Sequence, residues 1–144
     1  MTRITITRTI NAPIDKVFNT VADIRNFSEV VPCIVDVEYL TKNRVGVGAR
    51  FIETRVMGKR KASMEFEVTE YVENDHFRIK TEAGGTVWDS LFTFEEKDGA
   101  VVLTMAMDAI TKNFFMDLMN KMMKKMIQKG TEEDFDIVKA HCEQ

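Results

Sequence analysis

The sequence predicts an α+β fold: a curved seven-stranded antiparallel sheet, two short helices after the first strand, and one long C-terminal helix packed across the sheet. Three observations carry that expectation. Thr2 to Asn11 alternates, with Ile4, Ile6 and Ile10 on one side and Thr5, Thr7 and Thr9 on the other. Five strand-like runs between Ala49 and Ala109 follow one another at turn spacing. From Lys112 to Cys142 the chain runs without a proline and places apolar residues at helical intervals. Helices that interrupt strands once and then close the chain point away from an alternating α/β pattern.

Each element has a local reason. Strict alternation in the first run is the mark of a strand with one buried face, Arg8 being the exception on the apolar side. Asn11 then offers a helix cap, Pro13 suits a first helical turn, and Val17, Phe18 and Val21 share helical spacing through Ala22. Asp23 can cap a second short helix that ends before Pro32, and Ile34 to Leu40 is strand-like. The later strands are Ala49 to Met57, Arg60 to Val72, His76 to Thr81, Thr86 to Glu95 and Ala100 to Ala109. Gly58-Lys59, Glu73-Asn74-Asp75, Gly84-Gly85 and Lys97-Asp98-Gly99 separate them. Connections this short require antiparallel neighbours.

The terminal helix carries an unusual stripe. At about 100° per residue, Phe115, Leu118, Met119, Met122, Met123, Met126, Ile127, Ile137 and Val138 fall on one broad face, expected to be buried against the sheet. Lys121, Lys124, Lys125, Gln128, Glu132 and Lys139 fall opposite. Two residues on the apolar side break the pattern. Gly130 suggests a bend or a close approach to a strand, and Glu133 requires a cap, a partner or a function.

Bulk properties narrow the classes. The chain has 144 residues, 44% apolar and 30% charged, so one globular domain over 1–144 is expected and disorder is not. A net charge of −3 gives no general footprint for nucleic acid. Cys33 and Cys142 form no disulfide framework, and the scattered cysteines and histidines show no metal spacing. With no signal-peptide pattern and no apolar run of about 18 residues, a reduced, cytoplasmic protein without stable membrane insertion is expected, as a monomer or homodimer.

The facing of Glu53 and Arg55 depends on one turn. If Gly58-Lys59 is a two-residue turn, Met57 pairs with Arg60, Arg55 with Ala62, Glu53 with Met64 and Phe51 with Phe66. Met64, Phe66 and Val68 point inward, because Glu65 and Glu67 hold the other side, so Glu53 and Arg55 then point inward too. A three-residue turn instead turns Ile52, Thr54 and Val56 inward and leaves the charged pair in water. In the last hairpin, Trp88, Phe92 and Phe94 share a face with Leu103, Met105 and Met107.

Several pieces of the chain resemble a known group. Asn11-Ala12-Pro13 precedes Val17-Phe18 and Val21-Ala22-Asp23-Ile24. Phe27, Pro32, Gly48 with Phe51, and Gly58 follow. Then come Val68-Thr69-Glu70-Tyr71 and Phe92-Thr93-Phe94-Glu95 ahead of Asp98-Gly99. In order and spacing these resemble the START-like (SRPBCC) superfamily of polyketide cyclase/dehydrase and lipid-transfer proteins, over nearly the whole chain. The stretch from Val21 to Cys33 also resembles the coenzyme-Q-binding branch, while the later strands look more like the cyclase/dehydrase group. The resemblance implies the helix-grip fold, with a cavity between sheet and last helix that takes an apolar small molecule.

Under that implication the candidate ligand-binding residues come from both layers. Phe51, Glu53, Arg55, Met64 and Phe66 belong to the early strands, and Trp88, Phe92, Met105 and Met107 to the late ones. Phe115, Met119, Met122, Met123 and Met126 come from the helix, where thioethers suit a surface that accepts varied shapes. A plain methionine-filled core, with Met57 among the set, is the competing account. No catalytic residue is assigned and no cofactor is expected. His76 reads as a solvated loop residue, and His141 lies at the last helical turn, where a cation suits the helix dipole. Cys33 reads as packed, with nothing beside it to activate a thiolate.

Three functions remain open at this point. The first is binding, for storage, transfer or sensing, of a hydrophobic small molecule. The second is a cyclase/dehydratase-like enzyme without metal, with Glu53 and Arg55 as its polar centre. The third is a partner-binding module using the lysine-rich face of the terminal helix.

Overall fold

A computed structural model describes all residues 1–144. The elements run β1 (Thr2–Ile10), α1 (Ile14–Ala22), α2 (Ile24–Val30), β2 (Ile34–Tyr39), β3 (Arg50–Met57), β4 (Arg60–Val72), β5 (His76–Ala83), β6 (Thr86–Lys97), β7 (Ala100–Ile110) and α3 (Phe114–Cys142). The seven strands form one sheet in the order β1-β7-β6-β5-β4-β3-β2. Five hairpins therefore make a meander from β2 to β7, and β1 closes against β7 with Ile4 opposite Met107 and Ile6 opposite Met105. α1 and α2 carry the chain between β1 and β2, the two edges of the sheet. The expected α+β arrangement is the one observed.

The β3–β4 turn has two residues. Gly58 holds φ at +62°, a conformation that favours glycine, and Met57 lies opposite Arg60. The register follows: Arg55 faces Ala62, Glu53 faces Met64 and Phe51 faces Phe66. Farther along, β4 shifts register against β5 between Val68 and Glu70, a bulge that bends the strand and helps curl the sheet.

The helical caps differ from each other. Asp23 caps α2, its Oδ1 accepting from the Arg25 backbone N–H at 3.0 Å. Asn11 does not cap α1. That helix starts after Pro13 with no side-chain cap, and the Asn11 N–H donates instead to Glu143 Oε2 at 2.9 Å, tying the end of β1 to the end of α3.

Two apolar clusters fill the space inside the sheet. The larger joins β1, β6 and β7 to α1 and the last turns of α3. Phe18 sits at its centre, 4.9 Å from Phe94 and 5.3 Å from Tyr71 between ring centroids. Phe77 stacks on Phe92 at 4.5 Å, and Phe135 closes over them from α3. The smaller cluster, Ile24, Ala49, Phe51 and Val68, lies under α2 against β3 and β4.

The largest departure from the sequence reading is the rotation of α3. Phe115, Leu118, Met119, Met122, Met126 and Ile137, expected inside, are exposed, while Met123 and Ile127 are half-buried and Val138 is fully buried. Gly130 is exposed with open space around its α-carbon, so it marks no close approach to a strand. Glu133 is exposed as well, and its neighbour Asp134 is the buried acid.

The cause lies chiefly in the last turns of the helix, with one further anchor, Asn120, in its first half. Phe135, Val138 and Cys142 enter the large cluster, Asp134 bonds to Arg55, and Asn120 Nδ2 donates to Thr86 Oγ1 at 3.1 Å. A helix turns as one body. These inward residues average a direction about 120° away from that of Met119, Met122, Met123 and Met126 at about 100° per residue. Once they are seated, the stripe faces out.

Candidate functional site

Between the two apolar clusters the structure leaves a cavity of about 160 Å³. Val21, Ala22, Ile24 and Phe27 roof it from α1 and α2, where the helical spacing of these residues turns them toward the sheet. Phe51, Phe66, Val68, Phe77, Ile79, Phe92, Met105 and Met107 line it from the sheet, and Phe135 with Thr131 close it from α3. Thirteen of its eighteen lining residues are apolar, so water gains little by filling it. Two roomier depressions, of about 640 and 630 Å³, are polar-lined surface features outside this interior.

The polar end of the cavity is a buried ion triad. Arg55 Nε donates to Glu53 Oε1 at 2.5 Å, and Arg55 Nη1 donates to Asp134 Oδ2 at 2.7 Å. The same Nη1 lies 3.6 Å from Cys33 Sγ. Glu53 and Arg55 stand two residues apart on β3, which puts both side chains on the inner face, and Asp134 meets them from the helix. Glu53 and Asp134 are both buried, Arg55 half-buried.

Charge balance governs the chemistry here. With both acids ionised, one guanidinium faces two carboxylates and the triad carries one excess negative charge. Burial pushes the Asp134 carboxyl above the usual carboxylate range; Arg55 opposes this and Glu133 adds to it. Burial acts to lower the Arg55 value, but Glu53 and Asp134 outweigh it and hold the guanidinium charged well beyond any ordinary pH. The site can therefore present fixed positive charge beside a carboxyl whose proton is easily held.

The structure gathers some of the sequence candidates and separates others. Phe51, Glu53, Arg55, Phe66, Phe92, Met105 and Met107 all line the cavity. Met64, Trp88 and Met123 are half-buried and stand outside its lining. Phe115, Met119, Met122 and Met126 are exposed on the far side of α3, and Met57 is exposed at the hairpin tip. Sequence reasoning missed Asp134, the roof residues, Phe77, Ile79, Ser90, Thr131 and Phe135. The one available signal was Glu133. An acid was anticipated inside this part of the helix, one residue away from the acid that is there.

The other titratable candidates lie elsewhere. His76 opens β5, half-buried, with Nδ1 2.5 Å from Asp75 Oδ2 and Nε2 3.3 Å from Glu70 Oε1. His141 is exposed on the last turn of α3. Cys33 is half-buried at the triad, and Cys142 is buried in the large cluster, where burial pushes its thiol up. No group of three or more His, Cys, Asp or Glu is placed to hold a metal ion.

A sheet curved around one long helix with an apolar space between them has a family counterpart. Residues 1–133 match the family described as polyketide cyclase / dehydrase and lipid transport. The chain belongs to that family. Solved structures share the fold over nearly its whole length. TTHA0849 from Thermus thermophilus is 16% identical at a TM-score of 0.76, covering 96% of this chain and 95% of its own. Ara h 8.0201 is 13% identical at 0.76, covering 98% and 97%. The di-domain aromatase/cyclase StfQ from the steffimycin biosynthetic pathway is 11% identical at 0.81, covering 98% of this chain and 50% of that one. No curated protein matches the sequence. At these identities the likeness is one of fold, the helix-grip arrangement that the order of motifs implied.

Proposed function

We propose that this family member binds a small, mostly apolar molecule between the sheet and α3, with its one polar group turned to the Glu53–Arg55–Asp134 triad. The observation that carries the reading is the apolar cavity of about 160 Å³ ending in that triad. A comparable dry cavity of roughly 150 Å³ takes up benzene, so a ligand the size of one ring fits without rearrangement. With both acids ionised, the triad's excess carboxylate favours a ligand that donates a hydrogen bond, such as a phenol, over a carboxylate of the same shape.

Native mass spectrometry of protein isolated from its own cells, followed by denaturing extraction, tests this directly. The expected result is one retained apolar compound, absent from a Met107→Trp variant in which the cavity is filled. Titration with phenol and benzoate supplies the second arm, phenol binding more tightly. Failure of both ligands to bind the emptied protein at any concentration overturns the reading.

A second reading has its own support. Asp134 is held toward its protonated form beside a permanent cation in an apolar space, an arrangement suited to proton transfer at a carbonyl. A cyclase- or dehydratase-like activity of this kind predicts that Asp134→Asn, once shown to be folded, abolishes turnover. Full activity in that variant removes the enzyme reading and leaves binding untouched.

A further inference from the structure

The first half of α3 presents an apolar ridge to solvent. Phe114 is 84% exposed, Phe115 64%, Met122 73% and Met126 66%, with Leu118 between them at 48%. At about 100° per residue these five fall within a sector roughly 120° wide, opposite the side on which Asn120, Phe135 and Val138 are buried. Lone exposed apolar residues are ordinary, but five large ones in register on one helix are an organised surface.

The surrounding charge is equally organised. From Lys112 to Gly130 the sequence carries Lys112, Lys121, Lys124, Lys125 and Lys129 against the single acid Asp117. That acid is already engaged, by the chain's N-terminal amine at 3.1 Å and by Lys121 at 3.4 Å. On a chain whose net charge is −3 this segment is a local basic patch. Lys121 and Lys125 edge the apolar sector, and Lys129 falls inside it near its C-terminal end.

We propose that this outward face of α3, from Phe114 to Lys129, docks on membranes rich in anionic lipid, lying in the interface with its aromatic and methionine side chains among the acyl chains and its lysines at the headgroups. A helix with one strongly apolar face edged by lysine is the form such interfacial helices take. The shape favours a lipid surface over a peptide partner, because the apolar side chains project as a ridge, whereas helical and extended peptides are taken into grooves. Charge argues against a second copy of the chain. A two-fold interface would bring the same lysine-rich patch against itself. No helix here is long and apolar enough to cross a membrane, so the contact is peripheral and reversible. The inference is independent of whether the cavity holds a ligand.

Flotation of the full chain with phosphatidylcholine vesicles, alone and mixed with phosphatidylglycerol, tests the proposal. Binding is expected only to the mixed vesicles and is expected to fall at least tenfold in half-molar salt, where exposed charges more than a few ångströms apart are screened, about 3–5 Å being the screening length. The double variant Phe114→Ser with Phe115→Ser, and the triple variant Lys121→Gln, Lys125→Gln and Lys129→Gln, should each lose about tenfold or more while melting like the parent. Absence of binding to mixed vesicles overturns the proposal, and this arm needs no variant. So does equal binding to both vesicle types. A salt-resistant dimer in sedimentation that Phe115→Ser dissolves would assign the ridge to self-association instead, and binding only to an acidic protein would assign it to a protein partner.

Discussion

The two halves of α3 obey different rules. From Asp134 to Cys142 the helix is anchored, with Phe135, Val138 and Cys142 in the large apolar cluster and Asp134 on Arg55. From Phe114 to Met126 most of its large apolar residues face solvent, and Asn120 on Thr86 is its one fully buried contact side chain. The half with fewer apolar residues is the buried one. Orientation follows from which side chains find complementary partners, and the total apolar count along a helix face is a weaker guide.

Substitutions in the two halves should differ accordingly. Phe135→Ala removes a ring that closes the large cluster and lines the cavity, and should cost about 3–5 kcal/mol in denaturant unfolding. Met122→Ala, the matching truncation on the exposed half, should fall within about 0.5 kcal/mol of the parent in the same measurement. A loss of several kcal/mol at Met122 would show that the ridge is covered in the folded protein.

The next largest effect lies at the anchor itself. Arg55→Ala leaves Glu53 and Asp134 buried together without a cation and should cost about 3–5 kcal/mol at neutral pH. The loss should shrink in acid, as Asp134, whose carboxyl burial pushes up, takes up its proton. A pH-independent loss would mean that Arg55 acts mainly by filling space.

Asp134→Asn probes the same anchor more gently. Because the folded protein holds the Asp134 carboxyl above its ordinary value, the stabilisation tied to its proton is complete below pH about 4 and is lost as pH rises through the raised folded value. Asparagine can still accept from Arg55 and cannot ionise. Relative to the parent, the variant should gain stability as pH rises through that window and hold a constant difference above it, as read from melting temperatures across pH. A difference that moves in the variant's disfavour as pH rises would show that Arg55 outweighs burial in setting the carboxyl's state.

How much of the site the chain declares locally depends on the element. Glu53 and Arg55 were legible as candidates because a strand has only two faces, and one turn chooses between them. Gly58 with Lys59 supplies that choice locally, and the register carries it back along β3 to the charged pair. Phe92, Met105 and Met107 were legible for the same reason, as inward positions of a hairpin. Phe27, Ile24 and Val21 reach the cavity only because α1 packs against β6 and β7 while α2 lies over β3 and β4, a placement set by packing.

By itself, the sequence determined the order of elements, the antiparallel meander and the inward face of most strands. Period-two alternation and glycine-bearing turns are local, and each fixes the register of the strand beside it. It also marked α3 as amphipathic over most of its length. Only the tertiary structure decided which way that helix turned. Rotation about a helix axis has no local determinant, and here a few anchors, Asp134 on Arg55 and Phe135 in the core among them, set it for all 29 residues. That rotation brought an acid the sequence reading had passed over into the cavity and left the methionine stripe facing outward.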